Sequence, residues 1–431
     1  MKIGFISLGC SKNQVDSERV MGLLKTNGHI MTTTLEDAQA IFVNTCGFIN
    51  PAKEESINTI LEMAEYKQKN LKKLIVIGCL SQRYKQDLIL ELPEVDRFIG
   101  VSEYGKLDEI LSDVLETKII GTYGKMERLI SKKSHTAYLK ISEGCSNRCT
   151  YCAIPLIRGN MKSYPQEELI LEAQKLVLQG VKELVLIAQD TTRYMEDQGS
   201  NQLGSLLKAL NDLPGLKWIR ILYMYPNAVS KKLLSEMKAC DKVIPYFDIP
   251  IQHADDALLR AMNRKGSVQD NRQVISDIRE VYPDAILRTT LIVGFPGETL
   301  AQFQSLLDFM KEIRFDRLGA FAYSLEEDTP AYDLPESLSE TDKQERLLQV
   351  MDLQAKISEE KQKALIGKTF EVLIDSKEKN SDVYHGRSIH SAPDQVDGEV
   401  LFVSEASHKI GSFVKVKITR NDEYDLFGEL I

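Results

Sequence analysis

Short apolar runs alternate with amphipathic stretches along residues 1–121, which is typical of strand–helix repeats. The predicted strands are residues 3–8, 40–45, 73–77 and 96–99. The predicted helices are residues 15–25, 53–66, 82–92 and 106–115. Because βαβ units build parallel sheets, we predict an α/β N-terminal domain, residues 1–121, with an open parallel sheet.

The same alternation begins again after a polar stretch and predicts a second α/β domain, residues 135–335. Its predicted strands are residues 137–141, 183–188, 218–223, 246–250, 285–292 and 317–321. Six strand–helix repeats are too few for a closed barrel of eight units. The pattern therefore indicates a partial βα barrel.

The remaining residues predict a connecting helix and a small C-terminal domain. Residues 336–365 combine strong helix formers with an apolar spacing of 3.6 residues. Residues 366–431 contain five short β-rich runs separated by glycine and proline, which predicts a small β-barrel.

Composition excludes several classes of protein. The 431 residues are 43% hydrophobic and 27% charged, which argues against a mainly disordered or fibrous chain. Apolar runs stay below the ~18 residues of a membrane span, and the first residues do not resemble an export signal, so we expect a cytoplasmic protein. The net charge of −9 is unusual for a protein that mainly grips a phosphate backbone.

Three cysteines, Cys145, Cys149 and Cys152, follow a predicted strand with the spacing Cys-x-x-x-Cys-x-x-Cys. Three thiolates can bind three irons of a cubane cluster and leave the fourth iron open, whereas electron-transfer clusters use four cysteines. The alternatives are zinc, which prefers four protein ligands, or three unrelated thiols. His135 lies too far upstream to be an obvious fourth ligand.

A second group consists of Cys10, Cys46 and Cys79, which are separated by 36 and 33 residues, about one βαβ unit each. Each follows a predicted strand, so in a parallel sheet all three emerge at the carboxyl edge. They could hold a second cluster, again with an open iron. The alternative is buried structural cysteines, which is also our prediction for Cys240.

The motif from Cys145 to Cys152 resembles the cluster motif of radical S-adenosylmethionine (SAM) enzymes. With the upstream cysteines and a barrel resembling a TRAM domain, the whole chain is similar to the methylthiotransferase family. Five segments look most like the branch that modifies an aspartate of the twelfth small-subunit ribosomal protein: residues 7–18, 153–159, 188–194, 223–227 and 246–253. Residues 162–164 and Met195 depart from that branch, which usually has arginines and glycine there.

The resemblance implies two 4Fe–4S clusters, one on each cysteine group, and SAM as cofactor. The open iron of the cluster on Cys145, Cys149 and Cys152 would bind SAM, and one electron from a reductant protein would cleave it. The resulting 5′-deoxyadenosyl radical would take the β-hydrogen of the target aspartate. Sulfur from the second cluster and a methyl group from another SAM would complete the transfer.

Four further residues are candidates for SAM contact through the resemblance. Tyr151 could pack on adenine or only fill the core. Gln189 and Asp190 could meet the methionine part of SAM or cap an ordinary loop. Gly294 could let the backbone approach the cofactor. We interpret His253 as a hydrogen-bonded loop histidine rather than a ligand.

The substrate has two candidates, a basic small-subunit ribosomal protein, alone or in the assembled ribosome, and a transfer-RNA adenosine. Residues 366–431 hold eight Lys and Arg against twelve Asp and Glu. An RNA-binding barrel should present a basic groove with stacking aromatics, whereas an acidic surface suits a basic protein. We therefore favour the protein substrate. A non-enzymatic metal scaffold would not explain why six βα repeats carry three cysteines at a barrel mouth.

Overall fold

The computed structural model describes residues 1–125, 127–131, 135–335, 338–393 and 397–431. Its contacts divide the chain into two compact units. The first unit consists of Met1–Lys132, Glu143–Lys162 and Glu326–Tyr332. The second unit consists of Lys133–Ser142, Ser163–Leu325 and Asp333–Ile431. The domain boundaries predicted from the sequence stay predictions.

The first unit contains a parallel sheet with the strand order β2-β1-β3-β4-β5. The strands are β1 Lys2–Ser7, β2 Ile30–Thr32, β3 Ala40–Thr45, β4 Lys73–Gly78 and β5 Arg97–Gly100. Every residue of β3 is buried, as expected for a central strand of a parallel sheet. The predicted open parallel sheet is confirmed, and only the short edge strand β2 was missed.

Helices cover both faces of this sheet. They are α1 Ser11–Thr26, α2 Asn50–Ala64, α3 Cys79–Glu91 and α4 Leu107–Val114. Side chains alternate along each strand, so Phe42 packs with α1 and α4 while Val43 packs with α2 and α3. One-turn 3₁₀ helices lie at Leu35–Asp37, Glu65–Gln68 and Val101–Lys106.

The next elements are short apart from one strand. They are β6 Thr136–Lys140, β7 Ser142–Glu143, α5 Ile154–Arg158 and β8 Lys162–Ser163. Strand β6 belongs to the second unit, whereas α5 belongs to the first.

The second unit contains a parallel sheet with the strand order β6-β9-β10-β11-β12-β13. Its further strands are β9 Glu183–Ile187, β10 Trp218–Ile221, β11 Val243–Asp248, β12 Ile286–Val293 and β13 Arg317–Ala322. Its helices are α6 Gln166–Leu178, α7 Leu203–Asn211, α8 Lys231–Lys238, α9 Asp256–Ala261, α10 Val268–Val281 and α11 Leu300–Ile313, with 3₁₀ turns at Glu196–Gln198 and Pro226–Ala228. The predicted partial βα barrel is confirmed.

The C-terminal part of the second unit is a long helix followed by a closed β-barrel. Helix α12, Glu340–Lys363, begins at Ser339, whose hydroxyl accepts a hydrogen bond from Asp342 N at 3.1 Å. The barrel order is β14-β15-β16-β18-β17. Its strands are β14 Thr369–Lys377, β15 Val383–Arg387, β16 Val400–Val403, β17 Phe413–Asn421 and β18 Leu426–Leu430. The small barrel is therefore confirmed. Helix α12 lies within the predicted connecting helix, residues 336–365, of which residues 336–337 fall outside the described residues.

None of the helices in the described ranges combines the length and the hydropathy that a membrane crossing requires. The longest of them, α12, has 24 residues and a polar, strongly charged sequence.

Candidate metal centre

Cys10, Cys46 and Cys79 lie at the carboxyl edge of three neighbouring strands. Strands β1, β3 and β4 are adjacent in the sheet, and the register pairs Ser7 with Asn44 and Thr45 with Gly78. Cys10 is the N-cap residue of α1, and Cys79 is the first residue of α3. The predicted placement of the three thiols at one sheet edge is confirmed.

Two glycines allow the cysteine loops to come close together. Gly9 has a φ of +80°, and a Cβ there would lie 2.8 Å from Cys46 Cβ and 3.3 Å from its Sγ. Gly78 has a φ of +103°, and a Cβ there would collide with the side-chain oxygen of Asn44. Any side chain at these positions would push the loops apart, because L residues avoid this conformation and no space is left.

The thiols of this group influence one another electrostatically. Burial, together with the charges of Cys79 and Cys10 and against a hydrogen bond from the backbone of Phe48, raises the pKa of Cys46 to about 12. Burial also raises the pKa of Cys79, which the charge of Arg158 opposes. Without a metal the protonated thiols are therefore favoured, and a bound cluster would have to supply the positive charge that stabilises the thiolates.

Asn13 holds the start of α1 against the strand ends. Its Nδ2 donates to the carbonyl oxygens of Leu8 at 3.1 Å and Thr45 at 3.0 Å. Its Oδ1 lies 3.5 Å from Cys79 Sγ. Asn13 therefore fixes the loops that carry Cys10, Cys46 and Cys79.

Arg158 completes this buried polar network. Its Nη2 donates to Asn13 Oδ1 at 2.7 Å and to Asp16 Oδ2 at 3.0 Å, and lies 3.4 Å from Cys79 Sγ. Its Nη1 donates to Glu143 Oε1 at 2.7 Å. Sequence reasoning did not assign roles to Asn13, Asp16, Glu143 and Arg158. For Asn13 and Asp16 the available signal was the run of polar residues in α1, which the structure buries, whereas Glu143 and Arg158 carried no comparable signal.

Cys145, Cys149 and Cys152 lie on a compact loop of the first unit, just before α5. Cys145 N donates to the carbonyl oxygen of Gly159 at 3.0 Å, and Cys152 N donates to that of Cys149 at 3.1 Å. Gly144 has a φ of +68°, and a Cβ there would collide with the backbone carbonyl oxygens of residues 158–160. The half-buried Tyr151 is part of this loop.

Within the described residues, no three Cys, His, Asp or Glu side chains are arranged to share one metal ion. A structural zinc site gathers four ligands around a single ion. In a cubane cluster each cysteine binds a different iron, so the ligands do not converge on one point. Each cysteine group offers three thiols, one fewer than the four ligands of a structural zinc site.

The three other candidates for SAM contact lie in the second unit. Gln189 Oε1, after β9, is buried and has no hydrogen-bond partner among the described residues, so a cofactor could satisfy it. Asp190 Oδ1 accepts from Thr192 N at 3.1 Å and its Oδ2 pairs with Arg193 Nε at 3.3 Å. A Cβ on Gly294, which has a φ of +73°, would lie 2.5 Å from Lys343 Cγ. The binding role of these residues stays a prediction.

His253 lies in a loop, as expected, but the hydrogen bond expected for its side chain is not found among the described residues. His253 is fully buried, and neither ring nitrogen has a hydrogen-bond partner in the described part of the chain. Its Nε2 lies 3.6 Å from Glu298 Oε2, which is beyond hydrogen-bond distance. The chain after β11 continues along β12, where Gln252 bridges to Leu291, and this buries the histidine. Cys240 is buried, as predicted.

Three family models match consecutive parts of the chain. Residues 2–100 match the uncharacterized protein family UPF0004. Residues 139–310 match the radical SAM superfamily, and residues 366–431 match the TRAM domain.

Curated relatives are similar over the whole length. The ribosomal protein uS12 methylthiotransferase RimO of Acetivibrio thermocellus is 46% identical, over 100% of this chain and 98% of the relative. The proteins of the same name from Caldicellulosiruptor saccharolyticus and Clostridioides difficile are both 48% identical. Those alignments cover 100% of this chain and 100% and 99% of the relatives, respectively.

Solved structures share the fold at low identity. The radical SAM methyltransferase TsrM from Kitasatospora setae, with cobalamin and a [4Fe–4S] cluster bound, has a TM-score of 0.56 at 12% identity and covers 77% of both chains. The cobalamin-dependent radical SAM enzyme OxsB has a TM-score of 0.52 at 12% identity, over 82% of this chain and 56% of OxsB.

Proposed function

The chain belongs to the RimO family of ribosomal protein uS12 methylthiotransferases, and from this premise we propose that it attaches a methylthio group to the β-carbon of a uS12 aspartate. It is a radical SAM enzyme that uses two 4Fe–4S clusters and SAM. The observation that carries the proposal is the meeting of Cys10, Cys46 and Cys79 at one sheet edge, because a radical SAM enzyme that inserts sulfur needs a second metal site.

We propose that Cys10, Cys46 and Cys79 hold one cluster, and that Cys145, Cys149 and Cys152 hold the other. When bound, the clusters and SAM supply the radical chemistry that replaces an unactivated C–H bond, which no acid or base side chain can do. Three thiolates per cluster leave one iron without a protein ligand, so SAM or a sulfur group has a place to bind.

Residues of the first unit stabilise the negative charge of the proposed cysteine ligands and surround one of them with apolar side chains. Cys10 and Cys79 lie at the N-termini of α1 and α3, where the helix dipole stabilises thiolates. Ala153 and Ile157 pack on Cys79 and, with Val101, form an apolar layer beside it. This layer limits the access of water to sulfur that must be delivered to carbon.

We propose the same four residues as SAM contacts, with unequal support. Gln189 has the strongest, because its buried Oε1 lacks a partner among the described residues. Tyr151 adjoins a proposed ligand and offers a ring for adenine. Asp190 already accepts a hydrogen bond from Thr192 N, and the absence of a side chain at Gly294 leaves room for Lys343. For both residues a cofactor contact would be a second role.

The partners we propose are basic uS12, alone or in the ribosome, and a reductant protein that supplies the electrons. We therefore propose that the reaction takes place in the cytoplasm, where ribosomes are assembled. The acidic C-terminal barrel, residues 366–431, favours a basic protein over transfer RNA, since complementary charge steers association.

The test is anaerobic reconstitution of the full chain followed by turnover with SAM and a reductant. We expect about eight irons per chain and a methylthio group on a uS12 aspartate, identified by peptide mass spectrometry. Replacing Cys10, Cys46 and Cys79 with alanine should halve the iron and abolish transfer while SAM is still cleaved. Cys240→Ala is the matched control and should behave like the parent, because this thiol is not a proposed ligand. Methylthiolation of transfer RNA instead of uS12 would contradict the proposal.

A further inference from the structure

Arg158 belongs by sequence to one cysteine group and by contact to the other. It is the last residue of α5, six residues after Cys152. Its side chain is 1% exposed, and its Nη2 lies 3.4 Å from Cys79 Sγ. Both residues lie in the first unit.

Three oxygen acceptors surround the guanidinium and fix its direction. Nη2 donates to Asn13 Oδ1 at 2.7 Å and to Asp16 Oδ2 at 3.0 Å, while Nη1 donates to Glu143 Oε1 at 2.7 Å. A planar guanidinium held by several acceptors has little freedom to turn. The donor that faces Cys79 is therefore held in place before any metal binds.

We propose that Arg158 is a positioning residue that raises the reduction potential of the cluster on Cys10, Cys46 and Cys79. This inference rests on the proposed function, since it takes Cys79 as a cluster ligand. Hydrogen bonds to cluster sulfur and local charge both set the potential of iron–sulfur clusters. An N–H aimed at Cys79 Sγ, on a cationic group, stabilises the reduced form, which carries one more negative charge.

The flanking carboxylates make the effect of Arg158 larger. Asp16 is fully buried and Glu143 is mostly buried, and both pair with this guanidinium. Removing the guanidinium would take away the positive charge that both carboxylates share here, so more of their negative charge would act on the cluster. Removal of Arg158 should therefore make the cluster harder to reduce for two reasons. The hydrogen bond and positive charge at Cys79 are lost, and the negative charge of the two carboxylates acts more strongly.

The experiment isolates one cluster in the full-length chain. Cys145, Cys149 and Cys152 are replaced by alanine, and the reconstituted protein is titrated with reductant while the EPR signal of the reduced cluster is recorded. For R158Q we expect the equilibrium constant of reduction to fall about tenfold or more, which is about 59 mV for one electron. For R158K we expect a smaller shift in the same direction, because the charge remains but the fork is lost.

Arg128→Gln in the same background is the matched control. Arg128 is also buried in the first unit and pairs with a residue of α1, Glu18 Oε2, at 2.8 Å. We expect it to leave the midpoint potential unchanged. A merely structural role of Arg158 would lower the unfolding midpoint of the chain but not the cluster potential.

Each outcome decides between the two proposals. If the variant with alanine at 145, 149 and 152 binds about four irons and both R158Q and R158K in it titrate at its potential, the inference about Arg158 is wrong and the ligand assignment stands. If that variant binds no cluster, the ligand assignment fails and the inference fails with it. If R158Q does not retain a cluster, the potential of R158K decides.

Discussion

Each unit contains a buried arginine between two carboxylates, and their other partners differ. In the first unit, Arg158 joins Asp16 and Glu143 and also faces Cys79 Sγ. In the second unit, Arg387 Nε pairs with Asp375 at 2.6 Å and its Nη1 with Glu183 at 2.7 Å. The same chemistry thus adjoins the proposed cluster site in one unit and joins two sheets in the other.

The network around Arg387 joins the C-terminal barrel to the parallel sheet. Asp375 and Arg387 lie on barrel strands β14 and β15, whereas Glu183 lies on β9. Arg220 on β10 pairs with Glu183 at 2.9 Å, and His135 Nε2 binds Asp375 at 2.8 Å. Burial alone would raise the pKa of Glu183, but Arg387 and Arg220 hold it below its ordinary value. Burial between two carboxylates therefore does not by itself indicate a functional arginine. The groups that its other N–H donors face separate the two cases.

The largest effect is expected for Arg387→Met. It leaves Glu183 and Asp375 buried without their main cation, so the free energy of unfolding of the second unit should fall by about 3–5 kcal/mol. The reporter is Trp218, the single tryptophan of the chain, whose ring lies 4.9 Å from that of Phe413 in the barrel. Urea unfolding followed by its fluorescence measures the change.

The comparison also predicts what Arg387→Met does not change. The iron content and cluster potentials per folded chain should equal those of the parent, while R158Q should alter a potential and spare the Trp218 transition. If Arg387→Met shifted a potential and left the urea midpoint in place, the two arginines would not have the separate roles assigned above.

The junction should also weaken in acid through His390, which follows β15. Burial, and then the positive charge of Arg317, lowers the pKa of His390 to about 4. Between pH 6.5 and about 4, His390 is protonated in the unfolded chain but still neutral in the folded chain. The free energy of unfolding therefore decreases as the pH falls from 6.5 towards 4. The total loss should be about 2–3 kcal/mol, seen as a falling urea midpoint of the Trp218 transition.

His390→Gln should reduce the fall of the urea midpoint between pH 6.5 and 4, which is called the acid limb here. His385→Gln is a control of opposite sign: although burial opposes it, hydrogen bonds to Glu399 and Glu378 raise the pKa of His385. His385 therefore contributes stability at low pH that is lost as the pH rises through its raised pKa. An acid limb that persists in His390→Gln would assign the proton uptake to another group.

In the first unit, Gly144→Ala should disturb the loop that leads to Arg158. Alanine is strained at a φ of +68°, and its Cβ would meet three backbone carbonyl oxygens, including that of Arg158. We expect a loss of about 2 kcal/mol in stability, together with reduced iron retention during gel filtration. Gly28→Ala is the matched control, because Gly28 has a φ of +80° but open space for a Cβ. It should cost about 1 kcal/mol and retain all the iron. Equal losses of iron in both variants would contradict a steric role of Gly144.

Features formed by residues close together in the sequence could be predicted more fully than features formed by residues far apart in it. The group at Cys145, Cys149 and Cys152 could be recognised from spacing, because one short loop carries it. Cys10, Cys46 and Cys79 could be predicted because strand phase in a parallel sheet fixes the edge at which each residue emerges. Arg158 shows no such period, since its contact with Cys79 spans 79 residues and depends on tertiary packing. The burial of the His253 ring without a hydrogen-bond partner among the described residues was missed for the same reason.

The smallest effect is expected for an exposed ion pair at the same barrel junction. Lys217 Nζ lies 3.1 Å from Glu371 Oε1, and the two side chains are 50% and 42% exposed. Solvent screens such a pair, so Glu371→Gln should change the free energy of unfolding by less than about 1 kcal/mol. The difference should shrink further in high salt, where surface charges are screened over short distances. Glu371→Gln could instead lower the free energy of unfolding, followed by Trp218 fluorescence, as much as Arg387→Met does. Burial would then not explain the difference between the two ion pairs, and the junction would depend on total charge rather than on the buried network.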